Sequence, residues 1–183
     1  MSEHFPLHDR ESAPEDSKGV LAAMHNKFGF DLNLFARMAT SSKALKAYTG
    51  VNEIFARSSF SPLEQQVVLL TVSGYNGCDY CVAAHTTGSM MQNMPEEVIR
   101  AAGAGTQIKE EKLEALRLFT HRMVDQRGYL NEGELESFLA AGYTPENALE
   151  VVTGIAMKTL SNYANHLMDT PIDEPFKANA PKA

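Results

Sequence analysis

The stretch Ser61-Pro62-Leu63-Glu64, followed by Val67-Val68-Leu69-Leu70-Thr71-Val72, limits the possible folds of this chain more than any other. Serine with proline one position on and glutamate three positions on is the chemistry of a capping box, so a helix is predicted from there to about Tyr75. The middle of that helix has no polar face, and a helix that is apolar all round has to be covered on every side by other elements. A chain of 183 residues with 44% hydrophobic content can build one core of that kind, and nothing in its composition asks for a second.

The surrounding sequence supplies helices to do the covering. Ser17 is a candidate cap for a helix through Lys27 ended by Gly29, Asp31 or Asn33 for a short one carrying Leu34, Phe35 and Met38, and Ser41 or Ser42 for one to about Ser58. After the break at Asn76-Gly77 a helix is predicted over about 78–91, and another from Pro95 to a stop at Gly103. Three more are predicted: over about 109–127, with Leu113, Leu116, Phe119, Thr120 and Met123 as its stripe; from Asn131, with Glu134 as capping partner, to Ala141; and from Thr144-Pro145 to about Met168. The last is expected to bury Ala148, Val151, Val152, Ile155, Met157 and Leu160. No stretch alternates in the manner of a strand, so the expected class is all-α, with tails over 1–16 and 170–183 around a single helical domain over 17–169.

A net charge of −7 with no run of Lys and Arg argues against a nucleic-acid surface. No apolar run approaches the roughly 20 residues of a membrane span, and residues 1–17 are too polar for a signal peptide. Two cysteines are too few for a disulfide scaffold, so a reducing compartment, the cytoplasm, is expected.

Chemistry concentrates in Asn76-Gly77-Cys78-Asp79-Tyr80-Cys81-Val82-Ala83-Ala84-His85. On a helix Cys78, Cys81 and His85 share one face, and cysteines one turn apart lie within the separation a disulfide tolerates. Cys78 stands at the first turn, where free backbone N–H groups favour a thiolate; Cys81 is one turn deeper, with His85 a turn further on as a candidate base. Cys81 attacking and Cys78 resolving is one assignment, and local chemistry also allows the reverse. Other readings compete. Haem attachment needs histidine directly after the second cysteine, where Val82 stands. Zinc would need a fourth ligand from His25, His121 or His166. A thioredoxin-like fold would put a strand before the pair. In the blandest reading the thiols are small buried hydrophobes in a non-catalytic binding or assembly module. No flavin or nicotinamide fingerprint is present, so no cofactor is expected.

The residues Val72-Ser73, Asn76-Gly77-Cys78, Tyr80-Cys81 and His85 resemble the redox signature of the carboxymuconolactone decarboxylase family in its alkylhydroperoxidase D-like branch. Ala141-Gly142-Tyr143-Thr144, Glu150-Val151-Val152, Tyr163-Ala164-Asn165-His166 and Thr170-Pro171 extend the similarity more loosely. The resemblance implies an all-α bundle, trimers or hexamers, and reduction of a small hydroperoxide by a Cys78/Cys81 dithiol, the second cysteine attacking and a protein or small thiol supplying electrons. Apolar residues such as Phe28, Phe30, Leu32, Leu34 and Phe35 are expected to be covered by that assembly. The family's proton relay has a glutamate twelve positions before the first cysteine, and Gln66 stands there instead. Glu64 is the nearest acid. The two lie about 200° apart around a helix, so the expectation is that Glu64 caps while Gln66 points into the site as a neutral hydrogen-bonding residue.

Overall fold

A computed structural model gives the fold of residues 2–181; residues 1, 182 and 183, the ends of the two expected tails, lie outside the described residues. Nine α-helices follow one another without a strand among the described residues: α1 (Glu15–Phe28), α2 (Asn33–Met38), α3 (Ser42–Phe55), α4 (Pro62–Tyr75), α5 (Asp79–Met91), α6 (Glu96–Ala104), α7 (Glu111–Asp125), α8 (Glu132–Ala140) and α9 (Pro145–Met168). Among the described residues no helix is long and apolar enough to cross a membrane.

Helix α4 is the axis of the bundle. Residues 67–73 are all buried, and α5, α6, α7 and α9 pack around them. Its two interior hydroxyls need no outside partner: Thr71 Oγ1 donates to the Val67 carbonyl and Ser73 Oγ to that of Leu69, both at 2.7 Å, which lets polar residues sit in a dry core. Capping boxes start α4 (Ser61/Glu64), α8 (Asn131/Glu134) and α9 (Thr144/Asn147). The Glu64 carboxylate also accepts from the Tyr143 hydroxyl at 3.0 Å. Tyr143 stacks on Phe138, and Phe138 on Phe119, with centroids 4.6 and 4.0 Å apart. One cap thereby ties α4 to α7, α8 and the loop before α9.

Several local expectations give way to tertiary contacts. Helix α1 begins at Glu15, and Ser17, inside it, donates its hydroxyl to the Ala39 carbonyl (2.8 Å) rather than capping. Neither Asp31 nor Asn33 caps α2: Asp31 pairs with His25, and the Asn33 backbone N–H donates to Asp173 Oδ1 (3.1 Å) from the C-terminal segment. Asp173 also accepts from the Tyr80 hydroxyl at 2.5 Å, and Phe176 meets Tyr80 edge-on, so this segment is laid along α5. Helix α6 stops at Gly105, in the left-handed region at φ 70°, not at Gly103. Leu32, Leu34 and Phe35 are buried within the chain itself, so they leave nothing for an assembly to cover; Phe28 is exposed. On α9, Val151 and Met157 are buried as expected, but Val152 is exposed and Ala148, Ile155 and Leu160 are only partly covered. The inner face of its second half carries Lys158, Ser161, Asn162 and Asn165 instead, all buried.

Candidate active site

The two cysteines are placed by the turn that joins α4 to α5. Gly77 takes φ +63°, its N–H donates to the Gly74 carbonyl (3.1 Å), and the Cys78 N–H reaches back to Ser73 (2.9 Å), a helix ending that requires a left-handed residue. Cys78 is then the N-cap of α5, and Val82 N–H returns to its carbonyl at 3.0 Å. Asn76 Nδ2 donates to Asn162 Oδ1 at 2.9 Å and ties this turn to α9. The result is that Cys78 and Cys81, 1% and 2% exposed, both sit as free thiols on the inner face of α5 against α9.

Helix α9 answers them with polar side chains. Asn165 Nδ2 lies 3.3 Å from Cys81 Sγ and 3.7 Å from Cys78 Sγ. Ser161 Oγ is 3.8 Å from Cys81 Sγ. Lys158, with no exposed surface, carries its ammonium within hydrogen-bonding reach of Cys81. The two thiols are driven apart electrically. Cys78 donates to Cys81, which together with burial pushes the Cys78 thiol up. The same bond, and then the Lys158 charge, hold Cys81 well below an ordinary thiol despite its burial. Burial opposes the Lys158 ammonium, but the charge on Cys81, with Tyr48, the hydrogen bond to Cys81 and Cys78 added to it, outweighs burial and raises this lysine above its usual value.

His85 meets this pair through the lysine. Its Nδ1 lies 2.9 Å from Gln66 Oε1 and its Nε2 3.1 Å from Lys158 Nζ. An amide oxygen only accepts and an ammonium only donates, so the proton is on Nδ1 and the Nε2 lone pair faces Lys158. Burial, then the neighbouring ammonium, keep the ring well below the ordinary histidine range, hence neutral. The sequence expectation that His85 receives the Cys81 proton directly is thus replaced by a file of groups, Gln66, His85, Lys158 and Cys81, from three helices. Gln66 is in that file; Glu64 is not, being held by Ser61 and Tyr143. Tyr80 turns its hydroxyl away, onto Asp173.

Lys158 and Ser161 were not singled out from the sequence, and Asn165 entered only within the stretch Tyr163-Ala164-Asn165-His166, with no role at the thiols. The available signal was their spacing, in phase with Val151 and Gly154 on the buried side of α9. The histidines considered as zinc ligands lie elsewhere: His25 pairs with Asp31, His121 packs edge-on against Tyr75, and His166 is exposed. Among the described residues no three His, Cys, Asp or Glu side chains converge as a metal site. A cavity of about 540 Å³ opens between α1 and α3, walled by Val20, Met24, Phe28 and Phe35, with Tyr48 and Asn52 at its inner side. Tyr48, which lines that cavity, is within hydrogen-bonding reach of Asn52 and of Ser161, a neighbour of Cys81.

Comparison with known proteins gives the following. The carboxymuconolactone decarboxylase family matches residues 42–108, which hold α3 to α6 and both cysteines. Among solved structures, an AhpD-core peroxidase-related protein from Ralstonia eutropha JMP134 superposes with a TM-score of 0.83 at 20% identity, covering 97% of each chain. A peroxidase-related protein from Silicibacter sp. TM1040 gives 0.79 at 16% identity over 94% of this chain and 91% of that one. The debrominase Bmp8 in complex with 2,3,4-tribromopyrrole gives 0.78 at 18% identity, over 96% and 94%. No curated protein matches the chain in sequence.

Proposed function

We propose that this chain, which has the AhpD-like fold and matches the carboxymuconolactone decarboxylase family over residues 42–108, is a thiol-dependent antioxidant enzyme that reduces hydroperoxides through a Cys78/Cys81 dithiol–disulfide cycle. One observation carries this reading: two free, buried thiols one helical turn apart, of which Cys81 has an ammonium, the closer approach of the Asn165 amide and a second thiol as donors. Such a sulfur is a nucleophile at neutral pH, and its neighbour is a thiol kept protonated and ready to resolve the oxidised product. A small peroxide or an organic one with an apolar body enters by the cavity between α1 and α3. Reducing power comes from a protein or small thiol, in a compartment such as the cytoplasm that keeps the pair reduced.

Titrating free thiols before and after one equivalent of an organic hydroperoxide tests the reading. Two reactive thiols are expected before, none after, and both again once a dithiol is added. Retention of both thiols overturns the cycle and leaves the non-catalytic binding or assembly module. Because Bmp8 shares the fold and is a debrominase, a brominated aromatic belongs in the same assay; oxidation of the pair by that compound and not by peroxide would change the substrate class.

We also propose that the chain assembles with copies of itself, as a trimer or hexamer. The support is an exposed apolar row on the outer side of α9, Leu149, Val152, Tyr163 and Leu167, opposite the face that holds the site. Light scattering that gives the 20.1 kDa of one chain at micromolar concentration overturns this.

A further inference from the structure

We propose that Lys158 is the proton donor to the oxygen that leaves the peroxide, and that its own protonation follows the redox state of the cysteine pair. This rests on the dithiol cycle proposed above and adds a catalytic residue to it.

Lys158 has no exposed surface, and its ammonium faces Cys81 on one side and His85 Nε2 at 3.1 Å on the other. The titratable groups around it are few. From α3 comes Tyr48, from α5 and its cap come Cys78, Cys81 and His85, and α4 sends only the neutral Gln66, which touches His85. Among the described residues no carboxylate is one of them, so there Cys81 is the neighbour that supplies a compensating negative charge. A buried ammonium is retained only when it is paired; an isolated one gives up its proton.

The reaction removes that pairing. The Cys81 thiolate attacks the terminal oxygen of a hydroperoxide, an S–O bond forms, the O–O bond breaks, and the alkoxide leaves with the bonding pair. Lys158 gives it a proton, so the products are an alcohol, the Cys81 sulfenic acid and a neutral amine. Cys78 then attacks the sulfenic sulfur, the S–S bond forms, and the hydroxyl leaves as water with the Cys78 proton. The buried site is neutral before and after. Reduction by an external dithiol returns two electrons and two protons, one to Cys78 and one to Lys158.

Two measurements on the full-length protein test this: thiolate absorbance near 240 nm in the reduced form, and the reduction potential of the pair against pH. A thiolate at pH 7 together with a slope of about 59 mV per pH unit, two protons at 29.6 mV each for a two-electron couple, is expected. A slope of about 30 mV with the thiolate present means that Lys158 keeps its proton in the disulfide form, and overturns the proposal. Lys158→Met should lose the thiolate signal at pH 7; an unchanged signal also overturns it. Lys158→Arg keeps the charge but cannot release a proton, so it should keep the thiolate and fall to the one-proton slope. If no disulfide forms with any oxidant, the dithiol cycle itself fails, and this inference with it.

Discussion

Cys81→Ser is expected to reduce hydroperoxide turnover by about 10³-fold or more, as loss of a nucleophile does elsewhere. The oxygen that replaces the sulfur is an alcohol whose proton the Lys158 ammonium cannot bring off at neutral pH, whereas the thiol at this position is ionised by its surroundings. The variant keeps its hydrogen-bonding partners Asn165 and Ser161, so it should fold. Cys78→Ser should behave differently: the first oxidation of Cys81 persists, and the cycle stops for want of a resolving thiol. Glu64→Gln serves as control, with a cost of about 1 kcal/mol from the weakened cap and a rate near that of the parent, because its carboxylate is held by Ser61 and Tyr143 away from the thiols. Stopped-flow oxidation of each variant by an organic hydroperoxide measures all three. A Cys81→Ser protein that turns over at the parent rate sinks the assignment, and an inactive but folded Glu64→Gln moves the proton relay to Glu64.

What could be read from the sequence was whatever local chemistry decides. The capping boxes at Ser61, Asn131 and Thr144 are each complete within four residues, and all three helices begin there. The same holds for Cys78, Cys81 and His85, which one helical turn after another brings to one face. Where a remote group competes, the local reading gave way: Asp173, far along the chain, takes the Asn33 N–H, and the Ala39 carbonyl takes Ser17. The second half of α9 was misjudged for a physical reason. A search for the core face by hydrophobicity finds Val151 and Met157 but also follows Val152, Ile155 and Leu160, yet a thiolate buried against this helix needs donors, and the helix supplies Lys158 and Asn165, which such a search passes over. Gln66, where the resemblance led to an expected glutamate, belongs to the same account. A carboxylate there would lie against His85 and, through it, a buried ammonium, whereas the neutral amide leaves Lys158 to pair with Cys81.

The approach of α4 to α6 sets a second large effect. A Cβ added at Gly74 would lie 2.2 Å from the Gly103 carbonyl oxygen and 3.0 Å from its carbon, and a backbone group inside α6 cannot rotate aside. The two helices would have to separate. Overpacking of this kind costs about 1–3 kcal/mol, and the gain of up to about 1 kcal/mol from alanine's helix propensity offsets only part of it. We expect Gly74→Ala to lose about 2 kcal/mol net in the worse half of that range, which for a chain of this size lowers the melting temperature by about 4–8 °C. The damage should reach the thiols. Gly103 lies against Val82, the residue after Cys81, and Gly74 accepts the turn bond from Gly77 that fixes Cys78. Thiol reactivity at a temperature where the variant is still folded should therefore differ from that of the parent. Gly88→Ala is the contrast: it lies inside α5 with nothing within 4 Å of its added carbon, so it should gain about 0.5–1 kcal/mol from the reduced freedom of the unfolded chain. Thermal unfolding of the two variants side by side checks both signs, and a Gly74→Ala protein that melts with or above the parent would show that α4 and α6 have room to spare.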